Sequence, residues 1–124
     1  MGAKILVADD SVSMRQMTGI ILKSAGYQIV EAKDGIEALQ KLTEDIDLVI
    51  TDYNMPNKNG VSFIRDVRQG SINKNVPILM LTTETDQEKK NEGKQAGATG
   101  WLTKPFDKDS LLKVLQKVLG TLEF

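Results

Sequence analysis

Five short apolar runs, each followed by a stretch of helical character, restrict this chain to few architectures. The runs are Lys4-Ile5-Leu6-Val7-Ala8, Tyr27-Gln28-Ile29-Val30, Leu48-Val49-Ile50-Thr51, Ile78-Leu79-Met80-Leu81 and Trp101-Leu102-Thr103. Most are continuous rather than alternating, and turn residues bound them. That pattern suits strands buried on both faces, as in a parallel sheet covered by helices on each side. Parallel neighbours need crossover connections, and the intervening helices supply them with right-handed sense. The expectation is a doubly wound α/β domain with five parallel strands, flavodoxin-like order 2-1-3-4-5, and five helices.

The first helix is expected to start at Ser13 and to turn Met14, Met17, Thr18, Ile21 and Ala25 inward, stopping at Gly26. The second carries Ile36, Leu39 and Leu42, the third Phe63, Ile64 and Val67, and the fifth Leu111, Leu112, Val114, Leu115, Val118 and Leu119. The fourth is unusually polar from Gln87 to Lys94 and ends near Gly97. Its Gly93 to Gly97 spacing is read as a helix stop rather than a packing motif. No linker rich in Pro, Ser or Gly interrupts the pattern, so residues 1–124 read as a single domain with no output domain.

The chain has 124 residues, no cysteine and no histidine. Disulfides, thiolate zinc sites, Ser-His catalysis and a phosphohistidine on this chain are thereby excluded. A metal must be held by oxygen, which favours hard ions. Sixteen Lys+Arg against 17 Asp+Glu give a net charge of −1, so bulk charge offers no reason to bind nucleic acid or a membrane surface. No apolar run approaches the roughly 20 residues of a membrane helix. Met1-Gly2-Ala3-Lys4 does not resemble a signal peptide, and Leu6 stands where a myristoylation site wants Ser or Thr. The expectation is a soluble, cytoplasmic monomer.

Chemistry enters at the ends of the runs. Four of them end in Asp9-Asp10, Asp52, Thr82 and Lys104; the second ends in Glu31, for which no role is assigned. In a parallel sheet every C-terminal strand end lies on one edge, and ligands bind where the strand order reverses. With order 2-1-3-4-5 that point falls between the first and third strands, which carry Asp9-Asp10 and Asp52. Taken singly, each residue is ordinary: an Asp there caps a helix or starts a turn, and Lys104 is a surface lysine. Together they make a coherent site. Three carboxylates repel one another unless a divalent cation intervenes, and Mg²⁺ binds through one or two carboxylates plus a phosphate. Asp52 can then act as a nucleophile that forms an aspartyl phosphate, with Lys104 and Thr82 meeting the phosphoryl oxygens.

With Asp9-Asp10, Asp52-Tyr53-Asn54-Met55-Pro56, Gly60, Thr82 and Lys104-Pro105-Phe106 in this order, the chain resembles the receiver domain of two-component response regulators over essentially its whole length. Asp52 to Pro56 and Gly93 to Trp101 bring it nearest to the stand-alone chemotaxis regulators of the CheY type. The resemblance implies that Asp52 is the phosphoacceptor, fed by a phosphohistidine on a sensor histidine kinase. It implies Mg²⁺ held by Asp10, Asp52 and the backbone carbonyl of Asn54, with Asp9 acting through water. Lys104 would contact the phosphoryl group, and the Lys104-Pro105 bond would be cis. Thr82 and Trp101 would form the switch, Thr82 moving inward and Trp101 changing rotamer, which alters the face made by the fourth helix, fifth strand and fifth helix. Expected partners are the kinase, a flagellar motor switch protein or another downstream protein, and a phosphatase. Asn54 and Glu84 would line the site and set the phosphoryl lifetime. The family usually carries Tyr or Phe where this chain has Trp101, so Thr82 is the more dependable half of the switch. The lysines of the fourth helix, Lys89, Lys90 and Lys94, are expected to receive an acidic partner segment.

Two other classes compete. A Mg²⁺-dependent phosphatase with an aspartyl nucleophile commonly places a second acid two residues on; here that residue is Asn54. A degenerate receiver acting only as a scaffold would not need Asp10, Asp52, Thr82 and Lys104 all intact. The expected role is therefore a signalling protein that assists its own phosphorylation and dephosphorylation, rather than an enzyme for external substrates. A phosphorelay intermediate or a phosphate sink remains the alternative to motor control.

Overall fold

The computed structural model describes residues 2–82, 87–104 and 106–120. Strands β1 (Lys4–Ala8), β2 (Gln28–Ala32), β3 (Leu48–Asp52), β4 (Ile78–Thr82) and β5 (Gly100–Thr103) alternate with helices α1 (Val12–Ser24), α2 (Gly35–Lys41), α3 (Gly60–Gln69), α4 (Gln87–Ala96) and α5 (Lys108–Gly120). The strands form one parallel sheet in the order β2-β1-β3-β4-β5, the flavodoxin-like order expected. Every residue of β3 and β4 is buried, while the edge strands β2 and β5 are only partly covered. That is why the central runs are apolar without interruption.

Alternate side chains feed two cores. Leu6, Val49, Ile78 and Met80 pack on one face with Phe63, Ile64 and Val67 of α3. Ile5, Leu48, Ile50, Leu79 and Leu81 pack on the other with Leu22 of α1 and Leu111, Leu115 and Leu119 of α5. Each such side chain stabilises the fold by about 1.5–3 kcal/mol relative to exposure. Polar α4 reaches the sheet through its two buried residues, Gly93 and Ala96. A Cβ at Gly93 would press on the Met80 thioether, so the absent side chain lets the helix approach. Gly97 then ends the helix with φ +113°. Arg68 fixes that end from α3, donating from Nε and Nη2 to the Gly97 carbonyl and from Nη1 to those of Lys74 and Val76.

Two expectations about α1 need correction. Its N-cap is Ser11, whose Oγ accepts the Met14 N–H, and not Ser13. The start moves because the Asp9 side chain captures the Ser11 N–H and forms the turn two residues earlier. The inward residues are Thr18, Gly19 and Leu22, with Ile21 partly packed, whereas Met17 and Ala25 are exposed. A Cβ at buried Gly19 would meet Glu31 of β2 at ordinary contact distance. In α2, Gly35 and Ala38 are the buried residues and Ile36 is exposed, because seven residues present only a narrow face. Among the described residues, no helix is long and apolar enough to cross a membrane.

Candidate functional site

β1 and β3 are neighbours, with Ala8 opposite Thr51. The next residue on each chain is therefore Asp9 and Asp52, side by side at the C-terminal edge. Asp9 is fully buried and held twice: its N–H donates to the Ala32 carbonyl at 3.0 Å, and its Oδ1 accepts the Ser11 N–H at 2.9 Å. Asp52 is 7% exposed, and Asp10 is open to solvent.

Lys104 follows β5 at the far side of the sheet. Its N–H donates to the Thr82 carbonyl at 2.6 Å, which docks the chain against the end of β4. Its side chain then reaches back over β4, placing Nζ 3.1 Å from Asp52 Oδ2 and 3.5 Å from Asp9 Oδ2. Thr82, the last residue of β4, is buried between them in the sheet order. The structure thus brings together Asp9, Asp10, Asp52 and Lys104, with Thr82 on the adjoining strand end. Pro105 and Glu84, and with them the Lys104-Pro105 bond, lie outside the described residues.

The electrostatics of this cluster are unbalanced. Carboxylate oxygens of Asp9, Asp10 and Asp52 lie within 4.8 Å of one another. Asp9 Oδ2 is buried with no hydrogen-bond partner among the described residues. A buried anion in that condition is costly unless a cation completes it. Burial pushes the Asp52 carboxyl above its ordinary range; the Lys104 charge and hydrogen bond pull it down, and Asp9 pushes it further up. Three carboxylates against one ammonium leave a deficit of two positive charges. All donors are hard oxygens, so the residues present fit a divalent ion such as Mg²⁺.

The loop after β3 is held in several places. The Gly60 N–H donates to the Tyr53 carbonyl at 3.0 Å, and the Gly35 N–H to that of Lys58 at 3.1 Å. Asn57 adopts φ 68° and donates from Nδ2 to Asp34 Oδ2 at 2.8 Å. Only a residue without Cβ fits at position 60, because a Cβ there would overlap the carbonyl oxygen of Asp52. Asn54 lies exposed within this braced loop, two residues beyond Asp52.

Trp101 pairs with Met80 in β4, and Thr103 pairs with Thr82. Trp101 and Thr82 therefore point to the same face, one alternation apart. Trp101 is 37% exposed, with Lys90 Nζ 5.5 Å from its ring centre. A groove of about 590 Å³ runs from Trp101 to Leu79, Val114, Lys117 and Val118; it contains none of the acidic cluster.

Sequence reasoning missed four contacts. Lys89 lies 5.1 Å from the centre of the Tyr53 ring, and the Tyr53 hydroxyl meets Glu92 at 2.9 Å, so α4 leans on the residue after Asp52. Lys89 and Lys90 are accordingly engaged with aromatic rings rather than merely solvated. Glu31, left without a role, pairs with Arg15.

Residues 5–116 match the family of the response regulator receiver domain. The chain belongs to that family. This receiver is 40% identical to chemotaxis protein CheY1 of Helicobacter pylori over 121 residues, covering 95% of this chain and 98% of the relative. It is 37% identical to chemotaxis protein CheY-3 of Vibrio cholerae, covering 96% and 93%. Among solved structures it is similar to Vibrio cholerae CheY4, with TM-score 0.90, 53% identity and 95% and 99% coverage. It is also similar to the receiver domain of a sensor histidine kinase from Pseudomonas aeruginosa, with TM-score 0.89, 30% identity and 97% and 99% coverage. That structure has a magnesium ion coordinated in its active site cleft. The receiver is thus a CheY-type signalling protein.

Proposed function

We propose that this receiver is a stand-alone response regulator in which Asp52 accepts a phosphoryl group from the phosphohistidine of a sensor kinase. The observation that carries this reading is the Asp9–Lys104–Asp52 constellation, with a buried Asp9 oxygen that lacks a hydrogen-bond partner among the described residues. Asp10, Asp52 and the Asn54 carbonyl would hold Mg²⁺, with Asp9 assisting through water. The bound ion supplies charge neutralisation for the carboxylates and the incoming phosphoryl oxygens.

The chain's own residues do the rest. A carboxylate oxygen of Asp52 attacks phosphorus as the bond to the donor imidazole nitrogen breaks, leaving an acyl phosphate on Asp52 and a neutralised donor. Lys104, already 3.1 Å from Asp52, shifts its ammonium to the new phosphoryl oxygens. Thr82 donates its hydroxyl to the same group. Hydrolysis by water resets the site. Trp101, on the same face as Thr82, transmits the change to the surface of α4, β5 and α5 and to the groove beside it.

The chemotaxis names of its relatives favour motor control as the output, with the chain working as a single cytoplasmic domain, a monomer, on a flagellar motor switch protein. The test is phosphotransfer from a radiolabelled, autophosphorylated chemotaxis histidine kinase. Label should pass to the wild type within seconds and not to Asp52→Asn. Label that stays on every chemotaxis kinase tried, while a noncognate sensor kinase donates, would move the receiver to another pathway.

A further inference from the structure

We propose that Arg15 is a positioning residue for the metal site: braced by Glu31, it holds the Asp9–Asp10 peptide so that the Asp10 carboxylate faces Asp52. The inference rests on the metal site proposed above. Arg15 lies in the first turn of α1, its N–H donating to the Ser11 carbonyl at 2.9 Å. Its guanidinium makes two further bonds. Nη1 donates to the Asp9 carbonyl at 2.7 Å, and Nε donates to Glu31 Oε1 at 3.1 Å. Glu31 stands on edge strand β2, opposite Val7, and its own carbonyl accepts from Lys41 Nζ.

The two acids differ in what holds them. Asp9 is fixed from its N–H, its carboxylate and its carbonyl. Asp10 is exposed, and among the described residues no hydrogen bond or ion pair holds its carboxylate. The peptide unit is planar, so fixing the Asp9 carbonyl oxygen fixes the N–Cα direction of Asp10. The Asp10 side chain leaves from that atom. A charge-assisted bond from a mostly buried guanidinium is a strong fixing.

Two effects of opposite sign meet at Arg15, and this makes the inference testable. As a mere nearby charge, Arg15 repels a divalent cation, so removing it would tighten Mg²⁺ binding. As a positioning group, its removal loosens a ligand and weakens binding. Groups that orient metal ligands typically account for about 10–100-fold in affinity, and a contact through the backbone belongs at the lower end, about tenfold.

The experiment is a calorimetric titration of the full chain with MgCl₂ alone, without phosphodonor. Arg15→Met keeps the aliphatic stem and loses both side-chain bonds. It should bind Mg²⁺ about tenfold more weakly. Glu31→Gln, at a part-exposed position on an edge strand, keeps the fold and should weaken binding by a smaller factor. The double variant should bind no more weakly than Arg15→Met, because Glu31 acts through Arg15. Unchanged or tighter binding by Arg15→Met overturns the inference. So does a double variant that returns to the wild-type affinity, which is the signature of two cancelling charges. A wild type that binds no Mg²⁺ instead overturns the metal site itself, and the two failures are thereby distinct.

Discussion

Replacing Asp52 with Asn should make the metal-free protein more stable. The Lys104–Asp52 contact at 3.1 Å is worth about 5 kcal/mol of attraction at an effective dielectric of about 20. Asp9 opposes it: oxygens no more than 4.8 Å apart repel by about 3.5 kcal/mol on the same scale. Exposed Asp10 adds about 1 kcal/mol at a water-like dielectric. These terms nearly cancel, which leaves the desolvation of a 7% exposed carboxylate unopposed. The raised pKa of Asp52, with burial as its leading cause, has the same origin. Asparagine keeps the shape and drops the charge. Lys104 is not stranded, because Asp9 remains 3.5 Å away. The expected gain is about 1–2 kcal/mol, or roughly 3–8 °C in Tm for a domain of this size. The folded protein holds the Asp52 proton more tightly than the unfolded chain, so the penalty is absent at low pH and grows as pH rises above 3.8. The advantage of Asn should therefore be full at pH 7 and shrink in acid. Urea unfolding in EDTA at pH 7 measures it. With Mg²⁺ the order should reverse, since binding stabilises the wild type. A variant less stable than wild type in EDTA would refute the reasoning and mean that the Lys104 pair outweighs burial.

Three further outcomes follow from contacts that brace the fold and the loop around Asp52. Arg68→Ala removes four hydrogen bonds to backbone carbonyls and should destabilise by about 2–4 kcal/mol in urea titration, with exchange protection lost first around Gly97. Gly60→Ala drives a Cβ into the Asp52 carbonyl, so it should cost at least about 2 kcal/mol and weaken Mg²⁺ binding in calorimetry. The Asp34 carboxyl is held below 3.8 by the Glu37 N–H first, then by the Asn57 amide. Its contribution is present above 3.8 and lost as pH falls through the lower folded value. Asp34→Ala should melt below wild type at pH 7, with the deficit narrowing in acid.

The site was legible because a parallel sheet forces every strand end to one edge, so Asp9, Asp52, Thr82 and Lys104 could be grouped without knowing a distance. The inward face of α3 followed from the spacing of Phe63, Ile64 and Val67. What escaped depends on particular side-chain contacts, near or far in sequence, rather than on spacing. Ser11 rather than Ser13 caps α1 because the Asp9 carboxylate takes the Ser11 N–H, a contact that propensity does not encode. Met17 is 40% exposed and Gly19 buried, although the helical spacing placed Met17 inward. The ring contacts of Lys89 and Lys90, and the Arg15–Glu31 pair, join segments that sequence spacing leaves unrelated.

The most direct test of the phosphoacceptor is intact-mass measurement after incubation with acetyl phosphate and Mg²⁺. The wild type should gain the mass of one phosphoryl group, lose it on standing, and gain nothing when EDTA replaces Mg²⁺. Asp52→Asn should gain nothing under any of these conditions. Equal labelling of wild type and Asp52→Asn would contradict the assignment of Asp52, however well the carboxylate cluster binds metal.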